Sequence, residues 1–229
     1  CDMCPDPIFP KEPVYGSNNW YYAYGKSSRE EILADTDLVK NACQGCENIP
    51  YMVIDDGWQP NSVDAPWHIG NERFPDMKCL ANEMKKKGVR PGIWVRYLIN
   101  GKDDEPRKVD CFPEEWYLEH SRKVLDPSHP EVLNYVKETT ERLVGWGYRL
   151  IKHDFSTFDI FGRWGFQITD KLAMDNWHFY DRTKTSAEIV KNFYKVIKDY
   201  SDGAVIIGCN AIGHLCAGLH QLNRAGDDT

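Results

Sequence analysis

Short β-rich runs alternate along this chain with amphipathic helical stretches, and that alternation restricts the fold more than any other feature. Strands separated by helices pair in parallel through crossover connections. The runs are 13–20, 50–55, 90–96, 148–154, 204–209 and 220–226. One helical stretch opens at Ser28-x-x-Glu31 and keeps Ile32, Val39 and Ala42 on one face; a second runs through Met77, Leu80 and Met84 and stops at Gly88. A third opens at Ser128-x-x-Glu131, carries Val132, Tyr135, Val136, Thr139 and Leu143, and ends at Gly145; a fourth opens at Thr185-x-x-Glu188 and carries Ile189, Phe193, Val196 and Tyr200. The spacing of hydroxyl and carboxylate at these starts suits a reciprocal N-terminal cap. Two long stretches without periodicity, 98–126 and 155–184, each follow a strand and precede a helix, which places them on the C-terminal side of the sheet.

With 229 residues, of which 41% are hydrophobic, the chain can bury one sizeable core. Its formal charge of −7 is spread without a block of one sign, which argues against nucleic acid or an anionic membrane as partner and favours a neutral substrate. No apolar run approaches the ~18 residues of a membrane span, so the sequence reads as a soluble chain. Both ends read as trimmed, which leaves compartment and oligomeric state open. Residues 1–12 form an N-terminal segment of unknown context, and 13–229 read as one domain. The pairs Cys1-x-x-Cys4 and Cys43-x-x-Cys46 allow a four-thiolate zinc reading, although ordinary buried or loosely exposed thiols suit their positions better.

Polar residues gather where the strands end. Asp55 and Asp56 follow a buried run and precede Trp58; a pair of carboxylates there can bind a metal, accept hydrogen bonds from sugar hydroxyls, or cap the next helix. Period-two alternation puts Lys152 and Asp154 on one strand face and His153 on the other, toward the helices. An ammonium beside a carboxylate favours its charged form, as a nucleophile requires, although a buried ion pair is the alternative. The last run ends in Arg224, Asp227 and Asp228. Two carboxyls across one barrel mouth are the minimum apparatus of glycoside hydrolysis. Trp20, Trp58 and Trp94, at or near strand ends, have flat faces that can stack on sugar rings or fill a core. The aromatic-rich loop 158–180 reads equally as a lid or a local mini-core.

Six segments together resemble a known family: Gly16-Ser17-Asn18-Asn19-Trp20, Ile54-Asp55-Asp56-Gly57-Trp58, Arg73-Phe74-Pro75 with Gly88 to Trp94, Leu125-Asp126-Pro127 with His129 to Val132, Lys152-His153-Asp154, and Arg224 to Asp228. In this order they resemble the melibiase clan of α-galactosidases, glycoside hydrolase families 27 and 36. The resemblance implies a TIM (β/α)₈ barrel, of which this chain carries about six βα units and lacks the last strands. It implies a retaining hydrolase that cleaves terminal α-galactosides of an oligosaccharide or glycoconjugate by double displacement, with neither cofactor nor metal. Asp154 would form the glycosyl intermediate, and the aspartate ending the sixth strand would be the acid/base: Asp227 by matching on the Gly-Asp pair, or Asp228 by matching on Arg-x-x-x-Asp. Asp55 and Asp56 would bind the 4- and 6-hydroxyls and Lys152 and Arg224 the ring hydroxyls, with Trp20 as an apolar wall and Cys209 near the 2-hydroxyl. Trp58 and Trp94 complete the expected sugar-binding set.

The run Asn210-Ala211-Ile212-Gly213 after Cys209 departs from the glycine-rich family 36 pattern, and the long loop after Asp154 has no counterpart there. A galactosyltransferase of the raffinose-synthase kind and a catalytically silent carbohydrate-binding barrel stand as alternatives. The fragment is expected to be inactive by itself.

Overall fold

The structure is a computed structural model that describes residues 4, 6–101, 112–164, 167, 177–224 and 226. Among the described residues, six parallel strands form one sheet in chain order: β1 (Gly16–Asn18), β2 (Tyr51–Ile54), β3 (Arg90–Val95), β4 (Leu150–His153), β5 (Val205–Gly208) and β6 (Leu222–Asn223). Each lies within one of the β-rich runs. Strands in sequential parallel order with helices between them make up the wall of a TIM barrel, here six strands of it.

The two faces of this wall bury different cores because strand side chains alternate. Met52, Ile54, Ile93, Val95, Ile151 and Ile206 pack with helix residues such as Ile32, Leu80, Val136 and Phe193, whereas Tyr51, Val53, Leu150 and Val205 form a separate cluster. Register builds that second cluster as a layer across the strands, Val53 pairing with Gly92, Gly92 with Leu150 and Leu150 with Val205. Gly92 is required there: a Cβ would lie 2.8 Å from Val53 Cγ2 and 3.3 Å from Leu150. Continuing toward the C-terminal strand ends by steps of two, the inner face turns from apolar to polar, reaching Asp55, Lys152 and Asp154, Cys209 and Arg224.

The outer layer consists of helices that the sequence pattern anticipates, together with short ones that it does not. α1 (Trp20–Ala23), α5 (Ser156–Phe161) and α7 (Gly213–Cys216) are short helices following strands β1, β4 and β5. The long helices are α2 (Arg29–Ala42), α3 (Met77–Lys86), α4 (Pro130–Gly145) and α6 (Ser186–Asp199). Reciprocal capping boxes close α2 at Ser28 and Glu31 and α6 at Thr185 and Glu188. The expected cap at Ser128 is corrected: Pro130 takes the first helical turn, so His129 is the N-cap and its Nδ1 accepts from the Glu131 amide at 3.2 Å. Ser128 Oγ instead accepts from the Asp181 amide at 2.9 Å.

No helix among the described residues is long and apolar enough to cross a membrane. Cys4 lies against Gly218, Cys43 caps the end of α2 and accepts from the Cys46 amide at 3.1 Å, and Cys1 lies outside the described residues. No group of three or more metal-ligating side chains occurs among the described residues. The described aromatics of the loop after α5 pack locally: Trp164 on Phe158 and Phe155, and Trp177 on Phe179 and His120. Phe166, which falls in the same loop, is outside the described residues.

Candidate active site

The polar layer at the C-terminal strand ends is assembled by side chains from different strands. Lys152 of β4 extends to the end of β2, where its Nζ donates to Asp55 Oδ2 at 2.7 Å. The pair is largely buried, with side-chain exposures of 16% for Lys152 and 3% for Asp55. Asn18 of β1 donates to the same oxygen at 2.6 Å, and Asp55 Oδ1 accepts from the Asp56 amide at 2.9 Å. Burial alone would lower the Lys152 ammonium, but the Asp55 carboxylate, with smaller contributions from Cys209 and Asp154, raises it above the ordinary lysine value. Lys152 and Asp154 do share a face, but the direct ionic partner of Lys152 is Asp55.

Asp56 has a different setting. Its Oδ1 accepts from Gln59 Nε2 at 2.6 Å and the Val63 amide at 2.7 Å, and its Oδ2 accepts from Ser62 Oγ at 2.9 Å. It therefore shapes the loop after β2. Neither carboxylate caps the next helix, because Asp76 caps α3. The turn between them and Trp58 depends on Gly57, whose φ is +101° and whose Cβ position lies 2.3 Å from the Gly25 carbonyl oxygen.

Asp154 sits one residue beyond β4, is 6% exposed, and is held on both oxygens. Trp94 Nε1 donates to Oδ2 at 2.9 Å, while the Phe155 amide and Asn210 Nδ2 each donate to Oδ1 at 2.7 Å. Cys209 is fully buried beside it; burial, with the Asp154 charge, pushes its thiol up to about 12 against the opposing effect of Lys152 and Arg224. The thiol is thus protonated at neutral pH. Arg224 Nη2 donates to Asn210 Oδ1 at 3.0 Å. Asp227 and Asp228 lie outside the described residues.

The three tryptophans separate. Trp20 is half-buried, with its amide on Asn18 Oδ1 at 2.8 Å. Trp94 faces the site but is 1% exposed, occupied by its bond to Asp154. The sugar-stacking face expected of Trp58 is corrected: the side chain is wholly enclosed, its Nε1 donating to the Trp94 carbonyl at 2.9 Å and its ring packed between Trp67 and Trp146. His153 lies on the helix side as expected, among Tyr97, Phe193, Tyr194 and His220.

Two further groups beside the site had not been singled out in the sequence. Arg96, two residues past Trp94 on the same face, forms a buried ion pair with Asp159 of α5, its Nε 3.0 Å from both carboxylate oxygens, and its guanidinium lies over the Phe155 ring at 4.3 Å. Burial raises the Asp159 carboxyl to about 6, opposed by Arg96 and reinforced by Asp154 and Asp64. Period-two continuation of β3 could have flagged Arg96; nothing local flags Asp159. Asn210 is the second, visible in the sequence only as a departure from a family pattern.

This architecture has the fold of solved α-galactosidase barrels. No protein-family model matches the chain. Among solved structures, it is similar to the α-galactosidase TtGalA of Thermus thermophilus in complex with stachyose, with a TM-score of 0.69 and 19% identity over 97% of this chain and 45% of that one. It is also similar to the family 36 α-galactosidase AgaA of Geobacillus stearothermophilus in complex with stachyose (TM-score 0.58, 18% identity, 93% of this chain and 30% of that one). A third is α-galactosidase I of Mortierella vinacea (TM-score 0.55, 14% identity, 91% and 44%). The chain thus spans less than half the length of each of these enzymes.

Proposed function

We propose that the protein carrying this chain is a retaining α-galactosidase acting on the terminal α-galactosyl group of an oligosaccharide. The observation that carries the reading is the Asp154 carboxylate, which ends β4 on the inner face of an α-galactosidase-like barrel, held by three N–H donors beside the Lys152–Asp55 pair. Solved structures of the same fold hold stachyose and p-nitrophenyl α-D-galactopyranoside, which supports the substrate class.

In this reading Asp154 attacks the anomeric carbon as the bond to the leaving oxygen breaks, and an acid that follows β6 in the sequence protonates that oxygen. The same residue, now a base, takes a proton from water as water attacks the glycosyl-aspartate, which releases galactose and restores both carboxyls. Asp227 fills the acid/base role, with Asp228 as the alternative. Asp55 Oδ1 and Asp56 Oδ2 each accept one hydrogen bond within the chain and each retain a lone pair for a sugar hydroxyl. Lys152 and Arg224 offer donors, Cys209 a thiol toward the 2-position, and Trp20 an apolar wall.

NMR of the first galactose released from p-nitrophenyl α-galactoside by the full-length protein tests this reading. It predicts the α-anomer first; the β-anomer first, or no release, refutes it.

A further inference from the structure

We propose that Asn210 is a positioning residue that locks the Asp154 carboxylate and couples it to Arg224, an inference that rests on the reading of Asp154 as nucleophile. Its side chain is a two-ended bridge, with Nδ2 donating to Asp154 Oδ1 at 2.7 Å and Oδ1 accepting from Arg224 Nη2 at 3.0 Å. A carboxylate only accepts and a guanidinium only donates, so chemistry fixes which end of the amide is which.

The backbone of Asn210 is specialised as well. Its φ is +52°, in the left-handed region where asparagine is enriched among residues with a side chain. That conformation lets its carbonyl accept from both the Thr157 amide, at 3.1 Å, and Thr157 Oγ1, at 2.7 Å. The end of β5 is thereby tied to the first turn of α5, which immediately follows Asp154. The position demands tolerance of positive φ, a short-reach donor for Asp154 and an acceptor for Arg224. Glycine meets only the first demand; aspartate meets the first and third but sets a second negative charge against Asp154. Asparagine meets all three. Without the amide, Asp154 Oδ1 keeps only the amide of Phe155 and Oδ2 only Trp94 Nε1, so the terminal torsion of the carboxylate is held less tightly.

The test uses two variants of the full-length protein, Asn210→Gly and Asn210→Asp, with p-nitrophenyl α-galactoside as substrate. Glycine relieves the positive φ and so separates the side chain's role from that of the backbone. Losing a charge-assisted hydrogen bond that orients the nucleophile predicts a fall in kcat of about 10- to 100-fold in Asn210→Gly, with KM changed less than about threefold and the melting temperature retained. A larger fall in kcat is expected for Asn210→Asp.

The proposal is overturned if Asn210→Gly keeps kcat within twofold, if the loss falls on KM instead, or if both variants lose activity only in step with lost folding. An Asp154→Ala control separates the two levels. If it is inactive while Asn210→Gly is normal, only this inference fails; if it stays active, or the wild type is silent on the substrate, the nucleophile reading fails and this inference with it.

Discussion

Replacing Lys152 by Met removes one half of a buried ion pair while keeping most of the side-chain volume. At 2.7 Å, the Coulomb attraction between Lys152 Nζ and Asp55 Oδ2 is roughly 6 kcal/mol at an effective dielectric of about 20, set against the cost of desolvating both groups. The variant leaves Asp55 buried with only the Asn18 amide and the Asp56 backbone N–H as partners. Breaking a buried pair in this way costs about 3–5 kcal/mol, and those surviving donors put the expected loss near the lower end, about 3 kcal/mol. With a urea dependence of about 3 kcal/mol per molar, the unfolding midpoint of the full-length protein should fall by about 1 M. Adding Asp55→Asn removes the stranded charge and should restore most of the loss. The Lys152 pKa is raised in the fold, so its contribution is complete below the free-lysine value of 10.5 and fades only as pH climbs through the higher folded value. Wild type and variant should therefore converge in stability only in strong alkali. A Lys152→Met loss under about 1 kcal/mol, or a double variant no more stable than the single one, would refute the reasoning.

Two more outcomes follow from buried groups. Burial lowers His220 from 6.5 to about 4, so the unfolded chain takes up its proton first as pH falls; stability is full above 6.5 and declines toward pH 4 by about 3 kcal/mol. His220→Phe should flatten that acid slope in pH-dependent denaturation, with a further part due to His153, which burial lowers in the same direction; an unchanged slope would count against the assignment. Trp58→Ala should destabilise by about 3–5 kcal/mol through the cavity it leaves, and a loss of galactoside affinity at full stability would restore it to the sugar-binding set.

The strands were legible because the central ones are buried on both faces and read as short apolar runs, and the α2 and α6 caps because a capping box is a local motif. The same Ser-x-x-Glu pattern failed at Ser128, where Pro130 moves the first helical turn onto His129. Period-two alternation placed Lys152 with Asp154 and His153 on the opposite face, but the partner of Lys152 lies on β2, and only the curvature of the wall brings Asp55 to it. Trp58 misled because Gly57 turns the chain out of the strand's alternation, sending the indole into the core. The Arg96–Asp159 pair and the Asn210 bridge each join a strand end to a residue from a later segment, a proximity that no local spacing encodes.

Catching the covalent intermediate on Asp154 would identify the nucleophile outright. The full-length Asp227→Ala variant, mixed with an activated aryl α-galactoside and quenched in acid, should form the glycosyl-enzyme quickly and release it slowly, because the base for the second step is missing. Peptide mass analysis should then find a single hexosyl adduct on the peptide containing Asp154, and Asp154→Ala in the same background should carry none. Accumulation in Asp228→Ala but not in Asp227→Ala would move the acid/base role to Asp228 and leave the nucleophile in place; an adduct on another carboxylate, or rapid turnover with no adduct in either variant, would contradict the account.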